Sequence, residues 1–415
     1  MKKTMKHLTA AAFALLAVHA SAIDRIVEEF GVTPTYPNIA AAVAASVDGD
    51  RIIIKNRAGD IPWIQDITID KSLEFLSYAN DGYFVVQGTY NIAPANGRTV
   101  LINGMRNTAG SVGAAAGTSS IRGTRVRVVD SYFVNGSINL ASNWFDADIV
   151  GCTLVNGSVS INFGNVVGND IDCSQVNDEA ISVNTTSSGT AIDTCAIIGN
   201  KVKGRVGYEG IFGSSFGQVF HIRNNYVQHG WMGIEVYEGP VTNAANLVWN
   251  NTVTAYTGNF TTYGINLANT NAGSIWEIMN NAVTRTWNGE CRGINNDSGN
   301  QGQINVYFNH ISTGISIPVS AGFTFAGSNT IDQAITLNAD GTFLADGAAI
   351  DGGNPAAPFY DLDLTTGDAG AYGGSYTLTN FFPLQIGSAR VYMTGHPFNV
   401  RQGSTLRVKA IAFDR

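Results

Sequence analysis

Much of the usual equipment of a soluble enzyme is scarce in this 415-residue chain. Charged residues make up only 13% of it, and it has ten prolines and four cysteines. The cysteines (Cys152, Cys173, Cys195 and Cys291) are too few and too scattered for a disulfide-dense scaffold. No cluster of His and Cys has the spacing of a metal centre. The longest apolar run, from Leu8 to Val18, is too short to span a bilayer as a helix. Basic residues are outnumbered, 24 Lys and Arg against 32 Asp and Glu, for a formal charge of −8. That balance argues against nucleic acid or anionic lipid as the main partner. It leaves an acidic polysaccharide open, because a local basic groove can oppose the net sign.

The first residues have an order of their own. Lys2, Lys3 and Lys6 precede the apolar run, and Ala20-Ser21-Ala22 follows it. This pattern reads as a secretory signal peptide over residues 1–22. With Ile23 as the mature start, 393 residues remain (415 minus 22), with a charge of 21 minus 32, or −11. No Cys follows the cut, which argues against a lipid anchor, and the mature chain is expected to be secreted or at the cell surface.

Glycine is abundant, at 47 residues, and many short β-type runs are broken by Gly and Asn. The chain therefore reads as all-β with many turns. One motif recurs: Ile222-Arg223-Asn224-Asn225-Tyr226-Val227, then Val248 to Val253, Ile278 to Val283, and Val306 to Ile311. Its third-from-last position serves as a marker, giving Ser131, Cys152, Asn169, Cys195, Asn225, Asn251, Asn281, Asn309 and Asn329. The eight intervals sum to 198, about 25 residues each. A second marker follows in most turns, as Ala180-Ile181, Gly210-Ile211, Gly233-Ile234, Gly264-Ile265, Gly293-Ile294 and Gly314-Ile315. Short strands in a ~25-residue period with variable loops describe a solenoid of parallel strands. Small polar residues at the marker fit the inside of a bend, where stacked Asn side chains satisfy one another and nearby backbone. In this register Cys152 and Cys195 occupy slots two turns apart, roughly 10 Å, beyond disulfide reach.

Before the ladder, residues 36–47 have helical spacing at Ile39, Val43 and Val47, with Pro37 at the start. This short helix is expected to cap the solenoid, and Arg51 to Lys55 to form its first strand. Residues 91–122, rich in Gly and Ala, read as a loop or irregular coil. Residues 23–374 then form the solenoid, and residues 375–415 a small β-rich cap or attachment segment.

Three stretches resemble the right-handed parallel β-helix superfamily, the pectin-lyase-like fold, and its bacterial secreted repeat proteins. They are Tyr36 to Val43 with Gly49 to Ile54, Ile67 to Leu73, and the closing Ala349 to Pro355 with Asp361 to Gly374. The resemblance implies an all-β, right-handed parallel β-helix with an N-terminal helical cap and a small C-terminal β cap. It is specific for fold and nearly silent on activity. Enzymes of this fold carry their sites on outward residues of one sheet. Here the densest such stretch runs from Gln228 to Glu238.

Glu209, Glu235, His229 and Arg292 are the catalytic candidates. Paired carboxylates suit acid–base work on a glycosidic bond, and an Arg suits proton abstraction beside a uronate. Trp231, Tyr237, Tyr263 and Glu238 are candidates for sugar contact, and ordinary solvated surface accounts for the same residues. Glu235, Asn266 and Asn295 should share one outward column. Asp361, Asp363 and Asp368 offer oxygen ligands of the type Ca²⁺ takes, while a turn bonded to backbone N–H groups explains them equally. The pectate lyase run W-I-D-H is absent. The polygalacturonase set fails too, since Asn177-Asp178-Glu179 replaces N-T-D and His229-Gly230 lacks a preceding Gly. These gaps favour a glycan-binding, adhesive or structural protein over a polysaccharide lyase or glycoside hydrolase. The partner class is a polysaccharide or cell-surface glycan, and the oligomeric state is open.

Overall fold

The computed structural model describes residues 22–79, 82–115, 122–141, 145–185, 193–258, 261–297, 299–312, 323–324, 329–331, 333–344, 347–382, 389–395 and 405–414. Residues 1–21 of the stretch expected to be a signal peptide, the Gly314-Ile315 marker and most of the residues between the two strands of the tail lie outside them.

Three sheets of 13, 10 and 12 parallel strands share one interior, and successive strands of a sheet come from successive turns of the chain. This is a parallel β-helix. Its core is built by residues in exact register. Ile52 pairs with Phe75, Phe75 with Ile102, Ile102 with Val128 and Val128 with Ile149. The column continues through Val166, Ile197, Ile222, Val248, Ile278 and Val306. Every member is fully buried. Each such side chain contributes roughly 1.5–3 kcal/mol of transfer free energy, so the stack is held mainly by apolar burial.

The corner between the 13- and 12-stranded sheets explains the Asn-Asn doublets. The first residue of each pair bends the chain with a positive φ, as at Asn224 (51°), Asn250 (52°) and Asn280 (55°). Earlier turns place Gly151, Gly168 and Gly199 there. Only Gly and, less readily, Asn or Asp adopt that conformation cheaply. The second residue points inward and forms a continuous ladder. Asn225 Nδ2 donates to Asn251 Oδ1 (2.9 Å), Asn251 to Asn281 (3.0 Å) and Asn281 to Asn309 (2.9 Å). Each Nδ2 also donates to a carbonyl of the preceding turn, as Asn251 does to Ile222 (3.0 Å). One slot differs from the expected register. Asn200, not Cys195, joins Asn169 to Asn225. The stretch Ile197 to Val202 carries the full motif, whereas Cys195 lies in the strand Asp193–Ile198 opposite Phe220. All four cysteines are buried and free.

The helix Ile39–Ala45 is shorter than expected. Asn38 caps it by accepting from Ala41 N–H, and Ile39, Ala42 and Val43 are buried. Val47 falls beyond the helix and is half exposed. The first strand is Asp24–Val27, paired with Arg51–Ile54, so the β-helix starts earlier than the sequence reading placed it. The Gly-rich stretch contains regular strands, among them Val112–Ala114 in the 10-stranded sheet. There small residues let turns approach closely: a Cβ on Gly110 would lie 2.1 Å from the Gly88 carbonyl oxygen.

After its last turns the chain runs back along the flank. His310 Nε2 meets the Gly352 oxygen at 2.9 Å, Asn250 Nδ2 donates to the Asp368 oxygen, and Asn224 Nδ2 to those of Ala371 and Gly373. Phe381, Tyr392 and Ile411 then pack on Val150, Val167, Ala196 and Ile198. The described tail, including the antiparallel pair Ala389–Gly395 and Lys409–Asp414, therefore lies against the side of the stack.

Candidate functional site

The Gly-Ile marker is the pivot of the site. Ile211, Ile234, Ile265 and Ile294 form one core column of the 10-stranded sheet. The preceding glycines face the valines of the Asn motif. A Cβ on Gly233 would lie 2.2 Å from Val253 Cγ1, and one on Gly264 2.3 Å from Val283 Cγ1. With the interior filled in this way, the residues on either side of the Gly-Ile pair are carried to the outer face. Glu209, Met232, Tyr263 and Arg292 make one column, and Phe212, Glu235, Asn266 and Asn295 the other. The expected column of Glu235, Asn266 and Asn295 is present.

These outward polar groups are nonetheless well covered. Glu209 is 7% exposed and Glu235 3%. The Glu209 and Glu235 carboxyls are neighbours that interact with each other. Asn266 Nδ2 donates to Glu235 Oε1 (2.8 Å) and Asp297 Oδ2 (3.2 Å), and Asn295 Nδ2 to Asn266 Oδ1 (2.7 Å). Burial first, and then the bond to Glu235, push the Glu209 carboxyl up to about 7. Burial raises Glu235 as well, opposed by the bonds from Asn266 and Glu209. Glu179 is also pushed up to about 7, by burial, by a bond with Asp178 and by the nearby carboxylates. Neighbouring buried carboxyls do not ionise independently, so the two titrate as a pair.

This arrangement sets a pH dependence. Glu209 is raised above its ordinary 4.5, so folding takes up a proton. The resulting stabilisation is complete below about pH 4.5 and is lost as pH rises through about 7. Buried His221 and His229, lowered to about 4 and about 3, contribute the opposite slope over part of that window, so the effect is read as a difference: the melting temperature of the parent minus that of Glu209→Gln is expected to fall as pH rises from 4.5 to about 7. A thermal melt at four pH values checks it.

The other sequence candidates are distributed unevenly. Tyr237 packs on Phe212 with ring centroids 5.7 Å apart and bonds to Glu235. Arg292 lies over the Tyr263 ring at 5.7 Å and is held by Glu290 at 3.3 Å. Trp231 is half-buried next to the Met232 column. Glu238 accepts from Ser214 Oγ at 3.0 Å. His229 does not join the carboxyls on the outer face. Its strand, Tyr226–His229, turns Val227 and His229 inward, and the ring is fully buried. Burial lowers its pKa to about 3, which keeps it neutral. Phe212 and Asp297 were missed from sequence. Phe212 was legible, since it stands two residues after Gly210 as Glu235 does after Gly233.

The acidic loop near the C-terminus is engaged in turns. Asp361 accepts from the N–H groups of Asp368 and Gly374, Asp363 from the N–H and hydroxyl of Thr365, and Asp368 from Asp351 N–H. Among the described residues no group of three or more His, Cys, Asp or Glu converges as a metal site.

No helix among the described residues is long and apolar enough to cross a membrane. No family model matches the chain, and no curated protein matches it. Among solved structures, the crystal structure of pectate lyase Pel9A is similar, with 13% identity and a TM-score of 0.37 over 85% of this chain and 96% of that one. At that level nothing about activity is carried over, and the assignment of the chain as a parallel β-helix rests on its own strand topology.

Proposed function

We propose that the chain is a secreted glycan-binding protein whose binding face is the outer ledge around Phe212, Glu235, Tyr237 and Tyr263. The observation that carries this reading is the arrangement of half-buried aromatic rings beside a fixed row of amide and carboxyl groups. Rings stack on the apolar faces of sugars, and the accessible Glu238, Arg292 and Asp297 at the edge of that row offer partners for their hydroxyls. The surrounding Glu209, Glu235, Glu238, Glu290 and Asp297 disfavour a uronate polymer here, so the ligand is a neutral glycan.

One observation favours a second reading, a glycoside hydrolase: a Glu209 carboxyl still protonated near neutrality suits a general acid. Their surroundings oppose it. Hydrolysis needs two carboxyls that reach the scissile bond as acid and as base or nucleophile, whereas Glu209 and Glu235 are both buried and Glu235 Oε1 is held by Asn266 at 2.8 Å. A lyase would need a base at the carboxyls, and Arg292 is held instead between Tyr263 and Glu290.

A glycan array with the mature protein tests the proposal. Neutral oligosaccharides are expected to bind, and Tyr237→Ala to weaken binding about tenfold, the scale of one aromatic contact. Absence of binding to any neutral glycan, or binding indifferent to Tyr237→Ala and Phe212→Ala, would overturn it.

A further inference from the structure

The 13-stranded sheet carries a second polar feature, of opposite sign to the acidic ledge. Arg125 and Arg127 lie on the strand Arg125–Val129. Val126 and Val128 are fully buried, so alternation turns both arginines outward. On one side they neighbour Thr99 and Leu101, on the other Asp146 and Asp148. Those acids are already engaged. Asp146 pairs with Arg122 at 2.6 Å, and Asp148 accepts from Asn165 Nδ2 at 2.7 Å.

Among the described residues neither Arg125 nor Arg127 has a side-chain hydrogen bond or ion pair. The Nε–H of Arg127 is buried with no partner. A buried guanidinium N–H without an acceptor is rare in a finished fold. Beside it lies a groove of about 260 Å³, lined by Ser72, Glu74, Thr99, Leu101, Arg125 and Arg127. Glu74 is the one acid in it, and its charge acts on Arg51, its neighbour in register. Ser72 Oγ accepts from Thr99 N–H at 3.2 Å, which leaves its own proton to donate.

We propose that this groove holds an oxyanion group, sulfate or carboxylate, carried on a glycan chain. Guanidinium forks match such groups bidentately. Two of them two residues apart on a strand, about 6.6 Å, span more than a free ion. The Ser72 and Thr99 hydroxyls and the apolar Leu101 suit the sugar that bears the charge. The inference does not rest on the neutral-glycan reading of the acidic ledge, which belongs to another sheet. Because the chain as a whole is negative, its general field repels polyanions, and retention must come from a local site.

Affinity electrophoresis of the mature protein in gels of dextran sulfate, polygalacturonate and neutral dextran tests it. Retardation is expected in at least one polyanion gel and not in dextran, and the gel that responds identifies the group. The double variant Arg125→Gln/Arg127→Gln is expected to lose at least tenfold in affinity. The distant Lys409→Gln should bind as the parent does. Should the double variant fail to fold, Arg125→Gln alone, at an exposed position, is expected to weaken binding several-fold. No retardation in either polyanion, retardation unchanged by the arginine substitutions, or a response to inorganic sulfate alone would each overturn the proposal.

Discussion

Replacing Asn251 by alanine is expected to lower stability by about 4 kcal/mol or more. Asn251 is fully buried at the middle of the ladder. Its Oδ1 accepts from Asn225 N–H (3.1 Å) and Nδ2 (2.9 Å), and its Nδ2 donates to Asn281 Oδ1 and the Ile222 oxygen. Alanine keeps the backbone N–H bond to Asn281 Oδ1 (2.9 Å) but leaves the Asn225 N–H and one of its Nδ2 protons without an acceptor and takes a donor from the Ile222 oxygen, at about 1–3 kcal/mol for each group left unsatisfied. Aspartate is expected to be no better, because it places a second oxygen against two acceptors and buries a charge. Serine should be milder, since Ser131 already bends an earlier turn and bonds to Val129 O and Met105 N–H. Solenoid turns contact mainly their neighbours, so the loss should be local first. Hydrogen exchange should accelerate in strands around Val227 and Val253 before urea unfolds the N-terminal turns.

Gly233→Ala is the second large effect, expected to cost about 3 kcal/mol. The new Cβ would lie 2.2 Å from Val253 Cγ1 and 2.5 Å from the Gly264 oxygen. The first clash is with a side chain and the second with backbone. Val253→Ala in the same chain should therefore restore part of the stability and not all of it. A urea midpoint for the parent, the two single variants and the double variant checks this. Full rescue would mean that the backbone contact yields easily, and a neutral Gly233→Ala would mean that the Gly-Ile marker is not dictated by packing. Since the same glycine column carries Glu235 and Tyr263 outward, Gly233→Ala should also weaken glycan binding.

The architecture was largely legible because each turn repeats the same physical demands. An inward aliphatic residue, a bend with positive φ and a small polar group inside the bend recur every ~25 residues. Misreading Cys195 for Asn200 shows where that legibility fails. Both residues stand two positions before an aliphatic one, Ile197 and Val202, and only the hydrogen-bond ladder reveals that Asn200 fills the slot. The strand Asp24–Val27 escaped notice because the helix Ile39–Ala45 separates it from its partner. The site was half legible. Alternation put Glu235, Asn266 and Asn295 in one column, and the same rule places His229 inward once its strand boundaries are known. Contact between Glu209 and Glu235 depends on side-chain conformation and burial, which spacing does not encode. The flank path of residues 347–382 was unreadable for a related reason: its partners, the outward Asn side chains of the bends, lie more than 70 positions away in sequence.

The two outer faces now have distinct chemical characters, an acidic aromatic ledge and an arginine groove, on one rigid stack. Whether the ledge only binds is the claim on which the functional account turns. The most direct measurement is the release of new reducing or unsaturated sugar ends when the protein lacking residues 1–22 is incubated with a panel of neutral and uronate polysaccharides. The account predicts no release above the heat-treated control, even from those glycans that bind. Release by the parent protein that is abolished by Glu235→Gln or Arg292→Ala, with binding retained, would contradict it and make the ledge an active site.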